Sequence, residues 1–357
     1  MTSPDNRSAT PDPRSLWIGT YDGGGGAGLC PLQLNANSLA AGLAYDGAYD
    51  GARNAAFGVY SSRFDLHYFV DEQDDGAIGV HRRTESGWLR LARIGSGGAA
   101  PCHVALDQTQ SCVAVANYAS GSVSVFRLDR TSGLPVEPPI IYVNAGSGPN
   151  VERQQSPHAH WVGFSHDNHW LYATDLGTDA VLAFPFDEDS GTLGTPVTAF
   201  GAAAGSGPRH MLLHGRHRNV AYLACELDST LVVLDVNDGA LRRRAALSTL
   251  PAAWQGANIL AHIGANAAGD RLYVSNRGHD SIAVFALDDD GDPHLIQHVA
   301  SGGASPRVFL LLEDMRRTVV VHERDHRVTI LDILSDGTLA PTDIAAHVPG
   351  AAFAFVS

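Results

Sequence analysis

The sequence predicts an all-β fold, a seven-bladed β-propeller of four-stranded antiparallel blades. Three observations lead there: a repeat of about fifty residues, a strongly alternating apolar strand at the same place in each repeat, and turns rich in the chain's 38 Gly and 18 Pro. In chain order the alternating segments are GLCPLQL at 28–34, AIGVHRR at 77–83, SVSVFRL at 122–128, AVLAFPF at 180–186, TLVVLDV at 230–236, SIAVFAL at 281–287 and RVTILDI at 327–333. With Pro31, Val80, Val125, Ala183, Val233, Val284 and Ile330 as equivalent core positions, the spacings are 49, 45, 58, 50, 51 and 46. A period of this length, with alternation of two and almost no helical periodicity, fits a propeller blade better than a βα unit or a β-sandwich.

Each alternating segment reads as the third strand of its blade. From residue 100 onward a first apolar strand starts near a proline and turns into a second strand that ends in a polar residue. A loop of Gly, Ser, Asp and Thr leads to the third strand, and a polar turn leads to a weaker fourth. The first two repeats fit the template more loosely. In the first, the run Gly23–Gly26 precedes another strand and not a helix, so it is no dinucleotide fingerprint. The terminal segments Leu16–Tyr21 and Phe353–Val356 are expected to pair, closing the ring and removing free edges. Residues 1–14 read as a disordered or loosely attached segment, and 15–357 as a single propeller domain with no room for a second.

Composition limits the function. Twenty-four basic and 38 acidic residues give 24 − 38 = −14, which speaks against nucleic acid or anionic lipid as a partner. Any anionic ligand needs a local cluster of basic groups working against that field. The cysteines Cys30, Cys102, Cys112 and Cys225 lack CxxC spacing, so neither a zinc site nor a disulfide framework is expected, although Cys102 and Cys112 could face each other across a hairpin. No signal-like segment or apolar run of about 20 residues occurs, and the expected location is the cytoplasm. No cofactor is expected. The blade exteriors show no obvious apolar stripe, and the oligomeric state is left open.

Propeller geometry brings the starts of first strands and the ends of second strands to one mouth of the central channel. First-strand starts supply Cys102, His103, His158, His160, Arg209, His210, His262 and Arg307. Second-strand ends supply Glu72, Asn117, Tyr118, Asp175, Glu226, Asn276, Arg277, His322 and Glu323. Histidine and arginine gather here in an acidic chain, a pattern that suits an anion pocket. The plainer reading, polar residues that bind water and tie blades together, fits any one of these histidines better than it fits the convergent set.

The stretches VANYASGSVSVF (115–126), SPHAHWV (156–162), ATDLGTDAV (173–181), GSGPRHM (205–211), CELDST (225–230) and SNRGHDSIAVF (275–285) resemble signature segments of the lactonase family with seven-bladed propellers. That family includes 6-phosphogluconolactonase-like enzymes and, as a relative, a fungal carboxymuconate-lactonising enzyme. The resemblance implies that His158, Arg209, Glu226 and Arg277 occupy its catalytic positions. It also implies a place in carbohydrate metabolism, in the pentose phosphate pathway. The sequence departs from the family at Asn54-Ala55-Ala56-Phe57, where Asn-Pro-Ser is the expected start of the second blade.

Opening a lactone with water needs a base for the water, donors for the developing oxyanion and a grip on the anionic tail. Glu226 and His158 could share the proton work, while Arg209 and Arg277 polarise the carbonyl or hold a carboxylate or phosphate. His103, His160, His210, Asn117, Asp175, Asn276 and Arg307 are the expected substrate contacts. The expected partner is a small anionic lactone. No metal is expected, because arginines at the mouth would repel a divalent cation. Removal of either arginine is expected to abolish activity with little change in melting. The same groups would also suit a cycloisomerase acting on a muconate-type lactone, and a binding platform without catalysis is the third reading.

Overall fold

A computed structural model describes residues 15–35, 38–41 and 48–357. Segment 1–14, for which disorder is expected, lies outside the described residues. The third strands are buried on both faces along most of their length, because the chain sets seven sheets face to face around an axis. Each of the seven segments singled out in the sequence lies in the third strand from the axis, for example Ala77–Thr84, Thr230–Asn237 and Arg327–Ile333. Six of the seven equivalent positions are fully buried between blades, while Pro31, which pairs with Trp17, is half-buried.

The ring closes as the terminal segments suggest. Ala351–Val356 is the innermost strand of the first blade and pairs antiparallel with Ser15–Thr20, with Ile18 opposite Ala354. Leu29–Asn35 and Ser38–Ala41 complete that sheet. Blade 4 departs from four strands: the short Thr192–Leu193 pairs beside its outer strand Val197–Gly201 on the edge of Ala180–Asp187. The helical segments among the described residues are the 3-10 turns Asp22–Gly24 and Glu313–Met315, and no helix is long and apolar enough to cross a membrane.

Polar ties supplement apolar packing between blades. The buried Tyr68, Tyr222 and Tyr273 sit at equivalent places in their second strands, and their hydroxyls donate to the carbonyls of Gly133, Gly291 and Gly337 at 2.6, 2.6 and 2.7 Å. Each acceptor glycine belongs to the next blade's turn. Such a bond satisfies a hydroxyl that burial would otherwise leave without a partner. The cysteines are all unpaired and buried, so Cys102 and Cys112 form no disulfide.

Candidate active site

Two devices, repeated from blade to blade, build the mouth of the channel. The first is a β-bulge near the start of the inner strand. In blade 3, Pro101 pairs with Asn117 and His103 with Ala116, so Cys102 is the extra residue. The same shift makes His160, Arg209 and Arg307 the extra residues in blades 4, 5 and 7, and a similar irregularity lies between Leu260 and Ile263 in blade 6. A bulge leaves one residue out of the ladder and turns its side chain aside.

The second device is a pair of positions at the end of the second strand. One residue braces the loops and the next faces the mouth. Asn117, Asp175 and Asn276 are braces. Asn117 Nδ2 donates to Ser122 and Ser124, and Asn276 Oδ1 accepts from the Thr249 hydroxyl at 2.7 Å. Asp175 Oδ1 accepts from the backbone N–H groups of His158, Gly177 and Thr178. These bonds belong to loop architecture, and the structure does not bring these three expected substrate contacts into the arginine cluster. The residues at the following position in the other blades, Tyr21, Glu72, Tyr118, Glu226, Arg277 and Glu323, do come together there, whereas in blade 4 that position is the buried Leu176. Several donate their N–H to the residue that precedes an inner strand, as Glu226 does to Gly207 O at 2.7 Å and Glu323 to Ser305 O at 3.1 Å.

Glu226, only 1% exposed, is the centre of the cluster. Its Oε2 accepts from Arg209 Nη1 at 2.6 Å and lies 3.0 Å from Arg277 Nη2, and its Oε1 accepts from Arg153 Nη2 at 2.6 Å. Burial would raise the pKa of this carboxyl, but the guanidinium groups of Arg277, Arg209 and Arg153 outweigh it and hold the group well below the usual carboxylate range. Burial, reinforced by Arg277 and Arg307, lowers the Arg209 guanidinium to about 10, still charged at neutral pH. The network continues around the mouth. Arg277 Nη1 donates to Glu323 Oε1 at 3.1 Å, and Arg307 Nη1 to Glu323 Oε2 at 3.3 Å. Arg307 Nη2 reaches Glu72 Oε2 at 3.6 Å, and the Tyr21 hydroxyl donates to that oxygen at 2.6 Å. Burial opposes the charge of Glu323 too, but Arg307 and Arg277 bring its carboxyl down to about 2.

Histidines fill the channel beside this charged layer. His160 Nε2 is in close contact with Arg209 Nη1, and the rings of His103, His160 and His262 each meet that of His210 edge-on at 5.4, 5.4 and 5.6 Å. Phe57 lies 4.2 Å from the His103 ring, centre to centre. Burial, with Arg209 as a further cause, lowers His160 and His210 far below the usual imidazole value, His103 to about 3 and His262 to about 4. The four are therefore neutral imidazoles under ordinary conditions. Of the expected contacts, His160 and Arg307 stand in the charged network, while His103 and His210 form this plug.

His158 is linked to Glu226 through Tyr118 and Arg153. It stacks on Tyr118 with ring centres 4.4 Å apart, and Tyr118 OH accepts from Arg153 Nη2 at 3.3 Å. Its Nδ1 lies 3.0 Å from the Tyr118 carbonyl, which can only accept, so Nδ1 carries the proton. The Nε2 lone pair is buried and has no protein partner.

Arg153 and Tyr21 are members of the network that strand patterning missed. Arg153 lies in the connection 144–158, whereas 96–100 and 301–305 join their blades with five residues. That added length is what makes 58 the longest spacing in the sequence, the signal that could have drawn attention to the loop. Tyr21 follows a first-blade strand whose repeat is weakly patterned. Among the described residues no three His, Cys, Asp or Glu side chains are grouped to hold a metal ion.

Comparison with known proteins identifies the family of the fold. The family described as "Lactonase, 7-bladed beta-propeller" matches residues 15–355. The chain is 29% identical over 340 residues to the 6-phosphogluconolactonase of Bacillus subtilis, covering 91% of this chain and 95% of the relative. A Lactobacillus plantarum protein superposes with a TM-score of 0.86 at 28% identity, over 97% of this chain and all of the other. The periplasmic gluconolactonase PpgL of Pseudomonas aeruginosa does so with 0.87 at 23% identity, over 97% and 99%, a likeness of fold alone.

Proposed function

Because the chain belongs to the lactonase family of seven-bladed β-propellers, we propose that this lactonase opens a small anionic sugar lactone, 6-phosphogluconolactone or a related aldonolactone. The observation that carries the reading is the charge of the mouth. Arg153, Arg209, Arg277 and Arg307 meet Glu72, Glu226 and Glu323. Four cations against three anions leave one positive charge, in a chain whose formal net charge is −14. A buried excess of guanidinium groups favours an anion and supplies forked donors for its oxygens.

In the proposed reaction water adds to the lactone carbonyl carbon while Glu226 receives its proton. Guanidinium groups of the cluster stabilise the oxyanion that forms. The ring C–O bond then breaks, and the proton held by Glu226 passes to the ring oxygen, which leaves as a hydroxyl. The product is a hydroxy acid, whose carboxyl proton is released to solvent. His158, whose Nε2 lone pair has no protein partner, is assigned in this reading the role of a second acceptor that orients the water. With 6-phosphogluconolactone as substrate the enzyme would act in the pentose phosphate pathway, in the cytoplasm.

A panel of 6-phosphogluconolactone, unphosphorylated aldonolactones and muconolactones, assayed with and without chelator, tests the reading. The phosphorylated lactone is expected to give the highest kcat/KM, undiminished by chelator. Turnover confined to muconolactones would replace a sugar-lactone hydrolase with the cycloisomerase, and no turnover at all would leave a binding platform.

A further inference from the structure

The arginines around Glu226 are not equivalent. Arg209 and Arg277 have side chains 4% and 8% exposed, and backbone carbonyls also hold them: Arg209 Nε donates to Ala261 O at 2.9 Å and Arg277 Nη2 to Leu260 O at 3.0 Å. Arg153 is 35% exposed, and its guanidinium bonds to two side chains, Glu226 and Tyr118. The two oxygens of Glu226 are therefore held by different means. Oε2 lies between the two buried arginines, and Oε1 is covered by the one at the surface.

The backbone that carries Arg153 is fixed. The neighbouring Gln154 is fully buried, and its Nε2 donates to Leu176 O and Asp179 Oδ1, both at 2.8 Å. Its Oε1 accepts from Asn150 N at 3.1 Å, and Asn150 Oδ1 in turn accepts from Arg153 N at 3.1 Å. A movement of Arg153 is thus a change of side-chain rotamer, fast and local, and needs no opening of the loop.

We infer that Arg153 is a specificity-determining latch: it leaves Glu226 for the anionic tail of an incoming lactone, and so uncovers the oxygen that receives the water's proton. The inference rests on the reading that Glu226 is that acceptor. An anion offers the guanidinium a replacement for the carboxylate it gives up, so the exchange costs little. An uncharged lactone offers none, and Glu226 stays covered. Departure of one cation also makes Glu226 more basic, so binding of the proper substrate strengthens the base that acts on it.

The test compares Arg153→Gln and Arg153→Lys with the parent on 6-phosphogluconolactone and on uncharged glucono-δ-lactone. In Arg153→Gln, kcat/KM for the phosphorylated lactone should fall about 10- to 100-fold, the scale of one lost charge-assisted bond. For the uncharged lactone it should rise, because Oε1 is no longer covered. Arg153→Lys, which keeps the charge and loses the fork, should fall between. Binding of the unreactive product 6-phosphogluconate, measured by calorimetry, should weaken in parallel in Arg153→Gln. Equal losses on both lactones, or unaltered product binding, overturn the latch and leave the hydrolase reading standing. A parent that opens neither lactone, yet loses 6-phosphogluconate binding on Arg153→Gln, sinks the hydrolase reading and supports anion capture by Arg153.

Discussion

At Glu226, burial and pairing pull in opposite directions. Burial alone would raise the carboxyl pKa, but the guanidinium groups reverse the sign. A base held so low is ionised throughout the neutral and mildly acidic range, so with an unphosphorylated lactone, whose own charge does not change there, kcat/KM should stay level as pH falls from 7 to about 5. An inflection in that window with the unphosphorylated lactone would show that Glu226 is not the acceptor. Glu226→Gln keeps the shape and removes the base, and kcat should drop ~10²-fold or more with KM comparatively steady. Near-parental turnover in that variant would end the assignment. The sequence reading expects arginine removal to leave melting almost unchanged, but burial argues otherwise. Arg209 is 3% exposed, and its removal takes one of three cations from the buried Glu226 and leaves Ala261 O without its donor, a cost of about 1–3 kcal/mol that should lower the melting temperature.

At the scale of the element, strand periodicity was readable and the bulge was not. Alternation tells which residues of Pro208–Leu213 share a face, but Arg209 owes its direction to being one residue too many against the partner strand. That mismatch exists only when two strands, both of which look regular alone, are placed in register. The residue before this strand matters as well. Gly207 has φ +65°, and a Cβ there would lie 2.7 Å from Leu227 Cγ. Gly207→Ala should therefore cost about 1–3 kcal/mol, seen as a lower melting temperature. It should also reduce kcat/KM, because Gly207 O holds the backbone of Glu226. An active variant of parental stability would show that the local backbone does not set the site.

For the whole molecule, the channel ties stability to pH. His103 and His262 are lowered to about 3 and 4, chiefly by burial, and His160 and His210 also lie well below the ordinary value. The unfolded chain takes up protons on these imidazoles below pH ~6.5, whereas the folded state does not. Their effect on stability is therefore nil above about 6.5, and stability is lost as pH falls toward 4. The melting temperature should decline steadily across that window, and His262→Asn should make the decline shallower. A flat profile from 6.5 to 4 would mean that the channel histidines already carry charge in the folded state.

The sequence by itself determined the fold: the fifty-residue period, the seven third strands, the pairing of the two ends, and the arginines, histidines and acids gathered at inner-strand starts and second-strand ends. These were legible because alternation and repeat length are properties of a single strand and its neighbours along the chain. Tertiary structure decided which of the gathered residues meet. It separated Asn117 and Asn276, which brace loops as Asp175 does, from Tyr118 and Arg277, one position further on, and it added Tyr21 and Arg153. The reason is geometric: a side chain's direction at the mouth depends on a one-residue bulge, and Arg153 arrives on a loop with no period to reveal it. The charge state of Glu226 likewise follows from three guanidinium groups contributed by widely separated parts of the chain, which only the closed ring brings to one carboxylate.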